Sequence, residues 1–248
     1  TTLNLNHGLQ VKAGTWIQDF GRLNNSHPHS WDFANQPVVY TRFMSEDNMR
    51  SSGAQLSWLI PSKEYYKLYF SAHSPLGGPM HSFRSTGGND LSGSDEDHQI
   101  GGHSFSDMDT QGIHDLAYTT RLETSCMLSD EKTIVAGMSF STGPNATGRS
   151  ARTNIYGLDL YYKWKPLNND HGWPFWTWQT EVLKRDYAAK SAPLFSDPTV
   201  TLPNEHLNDW GFYTQVVHGF MRQWTMGLRL DFANASGDSA GTKNLDPL

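Results

Sequence analysis

Residues 156–164 read Tyr-Gly-Leu-Asp-Leu-Tyr-Tyr-Lys-Trp. Apolar side chains fall on every second position, the period of a β-strand with one face away from water. That face carries Tyr156, Tyr162 and Trp164 at its ends and leucines in its middle. An aliphatic centre with aromatic ends raises the question of which apolar medium the face meets, a protein core or a bilayer.

Outward from this stretch, the same alternation predicts strands near residues 9–20, 51–60, 64–73, 114–128, 133–142, 153–164, 174–187, 208–220 and 223–233. No helical period stands out. On each strand one phase is apolar, as in Leu116, Tyr118, Leu122 and Leu128, or Trp224, Met226, Leu228, Leu230 and Phe232. The other phase is polar and carries Lys12, Lys67, Arg121, Glu123, Asp159, Lys163, Glu181, Arg229 and Asp231 among Gln and Ser.

The connections alternate in length. Residues 21–50, 74–113 and 188–207 form long loops, while 61–63, 129–132 and 221–222 are short, with 143–152 and 165–173 of medium length. A sandwich with Greek-key crossovers has no reason to alternate this way. A membrane barrel does, with short turns on one side and long loops on the other. The aromatic residues agree. Trp58, Tyr162, Trp164, Trp176, Trp178 and Trp224 lie near the short-turn ends, and Trp210 with several Phe and Tyr near the long-loop ends. Rings with a polar tip favour the headgroup zone.

The fold class expected is therefore all-β. It is an antiparallel transmembrane β-barrel with short periplasmic turns and long extracellular loops, in one domain over 1–248 with its girdle against outer-membrane lipid. A soluble sandwich with an aromatic core is the competing fold. Nine strands and a stub at Leu3–Leu5 do not close comfortably. The expectation is thus of strands outside this chain and of about 12 to 16 in the full barrel.

Composition sets further bounds. The 248 residues carry a net charge of −6, and nothing resembles a basic patch for nucleic acid. Mean hydropathy is −0.58, and no apolar run is long enough for a transmembrane helix, which does not bear on a barrel. The single Cys126 excludes an internal disulfide framework.

Residues 20–61 carry a resemblance. Gly21-Arg22-Leu23-Asn24, His27-Pro28-His29, Trp31, Pro37, Arg42-Phe43 and Ser57-Trp58-Leu59 followed by Pro61 resemble a family of porin-like outer-membrane barrel proteins of Gram-negative-type bacteria, largely uncharacterised. The later "YGLDLYYKWKPL" is similar to a strand of such proteins. The family's Gly-rich segment near 46–49 is replaced here by Glu46-Asp47-Asn48-Met49. The resemblance implies an outer-membrane barrel and a pore, and it carries no catalytic residues.

Two groups of residues invite a chemical reading. His27 and His29 with Asp32 are weak candidates for Zn²⁺ or Cu²⁺, set against a rigid turn whose His side chains bond within the loop. Residues 90–115 are rich in Asp and His and read as a solvated external loop, with metal binding as the alternative. No cofactor is expected. The chain is not expected to be an enzyme.

The function expected is passive diffusion of small hydrophilic solutes or ions through a lumen lined by the nine charged residues named above. The first long loop is too apolar to stay loose in water, with Leu23, Trp31, Phe33, Val38, Val39, Tyr40 and Phe43, and is expected to lie against the inner wall. Arg22, His27, His29 and Arg42 would then sit on a constriction, with Glu46 and Asp47 as partners for the arginines. The alternative function is a scaffold barrel within a larger envelope complex. Partners under either reading are lipid, with a second copy or an envelope protein left open.

Overall fold

The structure is a computed structural model that describes residues 1–45, 48–84, 100–103, 110–194 and 197–237. Its strands are β1 (Thr2–Asn4), β2 (Leu9–Ile17), β3 (Arg50–Leu59), β4 (Tyr65–His73), β5 (Ala117–Ser129), β6 (Lys132–Pro144), β7 (Arg152–Trp164), β8 (Phe175–Ala189), β9 (Ala192–Leu194), β10 (Asp197–Leu202), β11 (Glu205–Met221) and β12 (Trp224–Gly237). Among the described residues one α-helix, α1 (Val38–Phe43), follows Pro37, although the sequence showed no helical period: six residues are too few to display one. The expected first strand, 9–20, stops at Ile17, where Gln18 and Phe20 turn inward to bury their side chains.

Ten strands form one antiparallel sheet in the order β1 to β8, then β11 and β12; β9 and β10 pair separately as a hairpin. Every neighbour in the sheet is antiparallel, so turns and loops segregate to opposite ends. The turns 5–8, 60–64, 130–131, 165–174 and 222–223 share one end, and the long connections share the other. The all-β antiparallel expectation therefore holds, but the sheet is open: among the described residues β1 and β12 are not paired to each other.

The register fixes two faces of opposite polarity. On β7, Leu158 faces Met138 of β6 and Val182 of β8, and all three side chains point outward. Leu158 is 58% exposed and Leu228 of β12 is 80% exposed. The next residue, Asp159, is only 6% exposed, and Arg121 and Glu181 on the same inner face are 1%. The usual arrangement, with apolar side chains sheltered and charges in water, is inverted.

What shelters the inner face is the chain between β2 and β3. Phe20, Leu23, Val39, Tyr40, Phe43, Met44 and Met49 of this segment form the main core with Ile155, Leu183, Tyr213 and Ala233 of the wall. Met80 and Phe83, from the next long connection, join the same core. The segment's apolar residues thus find their burial inside, as their composition requires.

Candidate functional site: the inner face and its plug

Gly21 starts the site. Its φ of +58° is left-handed, a region open to glycine, and a β-carbon there would collide with Tyr40 and Glu181. The turn it permits aims the next two backbone amides at the wall. Arg22 N–H donates to Glu181 Oε2 at 2.9 Å, and Leu23 N–H donates to Glu181 Oε1 at 2.8 Å. The Tyr40 hydroxyl donates to Oε2 at 2.7 Å, and the Tyr213 hydroxyl donates to Oε1. A buried carboxylate is tolerated when its oxygens are met by donors; with Gln179 Nε2 donating to Oε1 at 3.4 Å there are five, of which two come from the segment's backbone and one from its helix. Tyr40, buried beside that carboxylate, has its hydroxyl pushed well above the ordinary tyrosine range, so it remains a donor. Asn24 completes the turn, donating to Gln18 O at 2.7 Å and accepting from Met49 N–H at 2.8 Å, which ties the two ends of the segment together.

Two buried ion pairs flank this clasp. Arg121 on β5 meets Asp159 on β7 with both terminal nitrogens, at 2.6 and 3.0 Å, and donates to Ser139 between them at 3.0 Å. The guanidinium crosses β6 at Gly137, where a β-carbon would occupy the space of Arg121 and Asp159. Arg185 on β8 binds Asp209 on β11, donating through Nε at 2.8 Å, and Arg42 from α1 approaches the same carboxylate at 3.5 Å. Burial lowers the Arg42 pKa from its ordinary value, and Asp209 opposes that shift.

The segment reaches the rest of the wall through polar contacts. Gln18 bonds to Ser51 and Ser71, and Ser51 continues through His73 and Thr119 to Ser141 at 2.8, 2.9 and 2.8 Å. At the other side Arg229 of β12 donates to Asn35 O at 2.7 Å and lies over the Phe33 ring. Asp32 accepts from Gln215 at 3.1 Å; burial raises its pKa, opposed by Arg22 and by that hydrogen bond.

The residues named from the sequence divide into three groups. Arg121, Asp159 and Glu181 line the inner face but lie under the segment rather than in open water. Arg229 and Asp231 pair with each other at 2.8 Å. Lys12, Lys67, Glu123 and Lys163 remain half-buried or exposed, nearer the short-turn end. Among the girdle residues Trp58, Trp176, Trp178, Trp210 and Trp224 are exposed, and Tyr162 and Trp164 half-exposed, all on the outer face. Trp176 stacks on His218 with ring centroids 3.9 Å apart.

The constriction candidates also separate. The Arg22 guanidinium stacks on Tyr161 at 3.7 Å, and Arg42 is held by Asp209; Glu46 and Asp47, the partners expected, lie outside the described residues. His27 and His29 are exposed and stacked on each other, 5.5 Å between centroids, on the rigid turn that Pro28 begins. Among the described residues no three His, Cys, Asp or Glu side chains come together as a metal site, and Asp32 is engaged elsewhere.

In the Asp- and His-rich stretch, Asp90, Asp95, Asp97, His98, Asp107 and Asp109 lie outside the described residues. His103 is a correction to the reading of that loop as solvated. It is fully buried, bonded to Glu205 at 2.6 Å and to Lys190 O at 2.9 Å. Its partners lie about a hundred residues away in the chain, so no local signal marked it.

No family model matches the sequence, and no solved structure matches it. An uncharacterized protein of Aquifex aeolicus is 29% identical over 248 residues, an alignment that takes in 94% of this chain and 46% of the relative. The chain thus spans about half the length of the curated relative it matches.

Proposed function

We propose that this region is wall and plug of an outer-membrane barrel, and that the whole protein is a porin-like channel for passive diffusion of small hydrophilic solutes. The observation that carries this reading is the inverted polarity of the sheet. Leucine, methionine and tryptophan dominate the outward face while the buried charges stand inward; the outward pair Lys184 and Asp186 lies toward the long-loop end of β8. In water such an outer face is a large uncovered apolar surface; in lipid it is the stable arrangement. Its aromatic residues gather toward the strand ends, where headgroups would lie.

The inward charges suit a lumen narrowed from one end. Toward the long loops the segment fills the inner face. Toward the short turns Lys12, Lys67, Glu123 and Lys163 stay accessible, a mixed set with an excess of cations that favours anions modestly. Purified full-length protein in planar bilayers tests the reading. Discrete conductance steps are expected, with larger steps after deletion of residues 26–35. A correctly folded protein silent in both forms would overturn it.

The filled half of the inner face favours a second reading, a plugged scaffold barrel in an envelope complex. That reading expects no conductance and a partner that co-purifies.

A further inference from the structure

Arg22 and Lys163 stand apart in the charge pattern of the inner face. The inward carboxylates described above are each met by a donor. Two more, Asp19 on the segment and Glu123 on β5, are met as well, by Gln55 at 2.6 Å and by Arg121 at 3.3 Å. Among the described residues three inward cations form no ion pair with a carboxylate: Arg22, Lys67 and Lys163. Lys67 stands opposite Glu123 in the β4–β5 register, and its ammonium lies 4.7 Å from the centre of the Tyr69 ring. Lys163 stands instead between two threonines, Thr133 of β6 and Thr177 of β8.

The two cations come together on β7. The Arg22 guanidinium lies over the Tyr161 ring, 3.7 Å from its centre. Lys163 follows on the same face, about 7 Å further along the strand. A guanidinium held by its face keeps its N–H edge for an oxyanion, whose paired oxygens fit the fork. The Lys163 ammonium adds a point charge, and the two threonine hydroxyls stand about 5 Å to either side of its strand. Arg22 is fixed from behind, because its own amide donates to Glu181. Asp32 lies near Arg22 but accepts from Gln215 and forms no ion pair with it. The place is the edge of the segment toward the short turns, where the filled half of the inner face gives way to the accessible half.

We infer that Arg22, Lys163, Thr133 and Thr177 form a binding site for a phosphate group at the edge of the plug. The inference rests on the channel reading proposed above and names the solute that its lumen holds. A spread excess of cations draws any anion, whereas a fork, an ammonium and two hydroxyls call for several oxygens on one centre. A carboxylate fills the fork with its two oxygens and leaves Lys163 and the threonines without an acceptor. A tetrahedral phosphate has oxygens for all of them and a charge that matches the two cations. The residue that seats the plug thereby also reads the solute that passes it.

The test is a calorimetric titration of the full-length gene product, in detergent micelles at low salt, with inorganic phosphate. Saturable binding is expected. Arg22→Lys keeps the charge and the backbone anchor and loses the fork; Lys163→Gln removes the ammonium from an exposed position and leaves the plug undisturbed. Each is expected to weaken binding by about tenfold or more. Lys132→Gln makes the same change of charge on the outer face, beside Trp164, and should leave binding as it was. Absence of binding, undiminished binding in both site variants, or acetate bound as tightly as phosphate would overturn the site. A second titration with glycerol 3-phosphate separates the sources: binding of inorganic phosphate alone makes the solute free phosphate, and binding of both extends it to phosphate esters. Conductance in planar bilayers is a separate readout. A protein that binds phosphate and stays silent retains the site and refutes the channel, while one that conducts without binding phosphate retains the channel and refutes the site.

Discussion

Leu158 and Asp159 are neighbours in sequence and opposites in environment. One stands bare on the outer face; the other is sheltered inside against Arg121. The two faces teach that this sheet places its tightest polar interactions on the sheltered side and leaves its apolar side chains uncovered. The outer face relies on its surroundings, and the inner face supplies its own through the plug.

The comparison breaks most sharply at Arg121. Arg121→Leu leaves Asp159 buried without its counter-charge, close to Glu181, and is expected to cost about 3–5 kcal/mol. Urea unfolding in micelles reads it. A loss under 1 kcal/mol would mean that the inner face is hydrated. On the other face, Leu158→Arg is expected to cost about 2–4 kcal/mol in lipid, where a cation on the outer wall is disfavoured. The same substitution in a water-facing sheet would change little, so a near-zero value would put the outer face in water.

Gly21→Ala sharpens the comparison at the clasp. A left-handed residue and a crowded site together predict a loss of about 1–2 kcal/mol. Limited proteolysis should show it as faster cleavage within residues 22–45, with the strands still protected. Uniform cleavage of strands and segment would show that plug and wall do not separate.

The smallest effect belongs to Asp32. Its folded pKa is raised, so its protonated form favours the seated segment. That contribution is fully present below the unfolded value of 3.8 and is lost as pH rises through the folded pKa. Asp32→Asn keeps an acceptor for Gln215 and removes the titration. The variant should therefore show a flatter dependence of thermal midpoint on acid pH, and be slightly more stable than the parent at neutral pH. An unchanged slope would place the titration elsewhere.

Much of the wall was legible because period-two alternation is a local signal. Nine strands were placed within a few residues of their bounds, and the phase that separates Leu158 from Asp159 was readable directly. The β9–β10 hairpin escaped because prolines at 193, 198 and 203 interrupt its alternation. The inward position of the plug followed from its apolar content. Its anchor did not: Glu181 is a charge on the polar phase like Lys163, and only the arrival of Arg22, Leu23 and Tyr40 makes it different. Alternation tells which face a residue takes and says nothing of what will lie against it.

The clasp also has a place in time. Arg22 and Glu181 are 159 residues apart, and every strand from β3 to β7 lies between them. The segment leaves the ribosome well before its anchor, which arrives with β8. Contacts so distant close slowly and late, after the local hairpins have paired. Until then Phe20, Val39, Phe43 and Met44 have no wall to rest on. A chain of this design carries an apolar stretch in need of escort while it is being made, and this core closes only once β8 is in place.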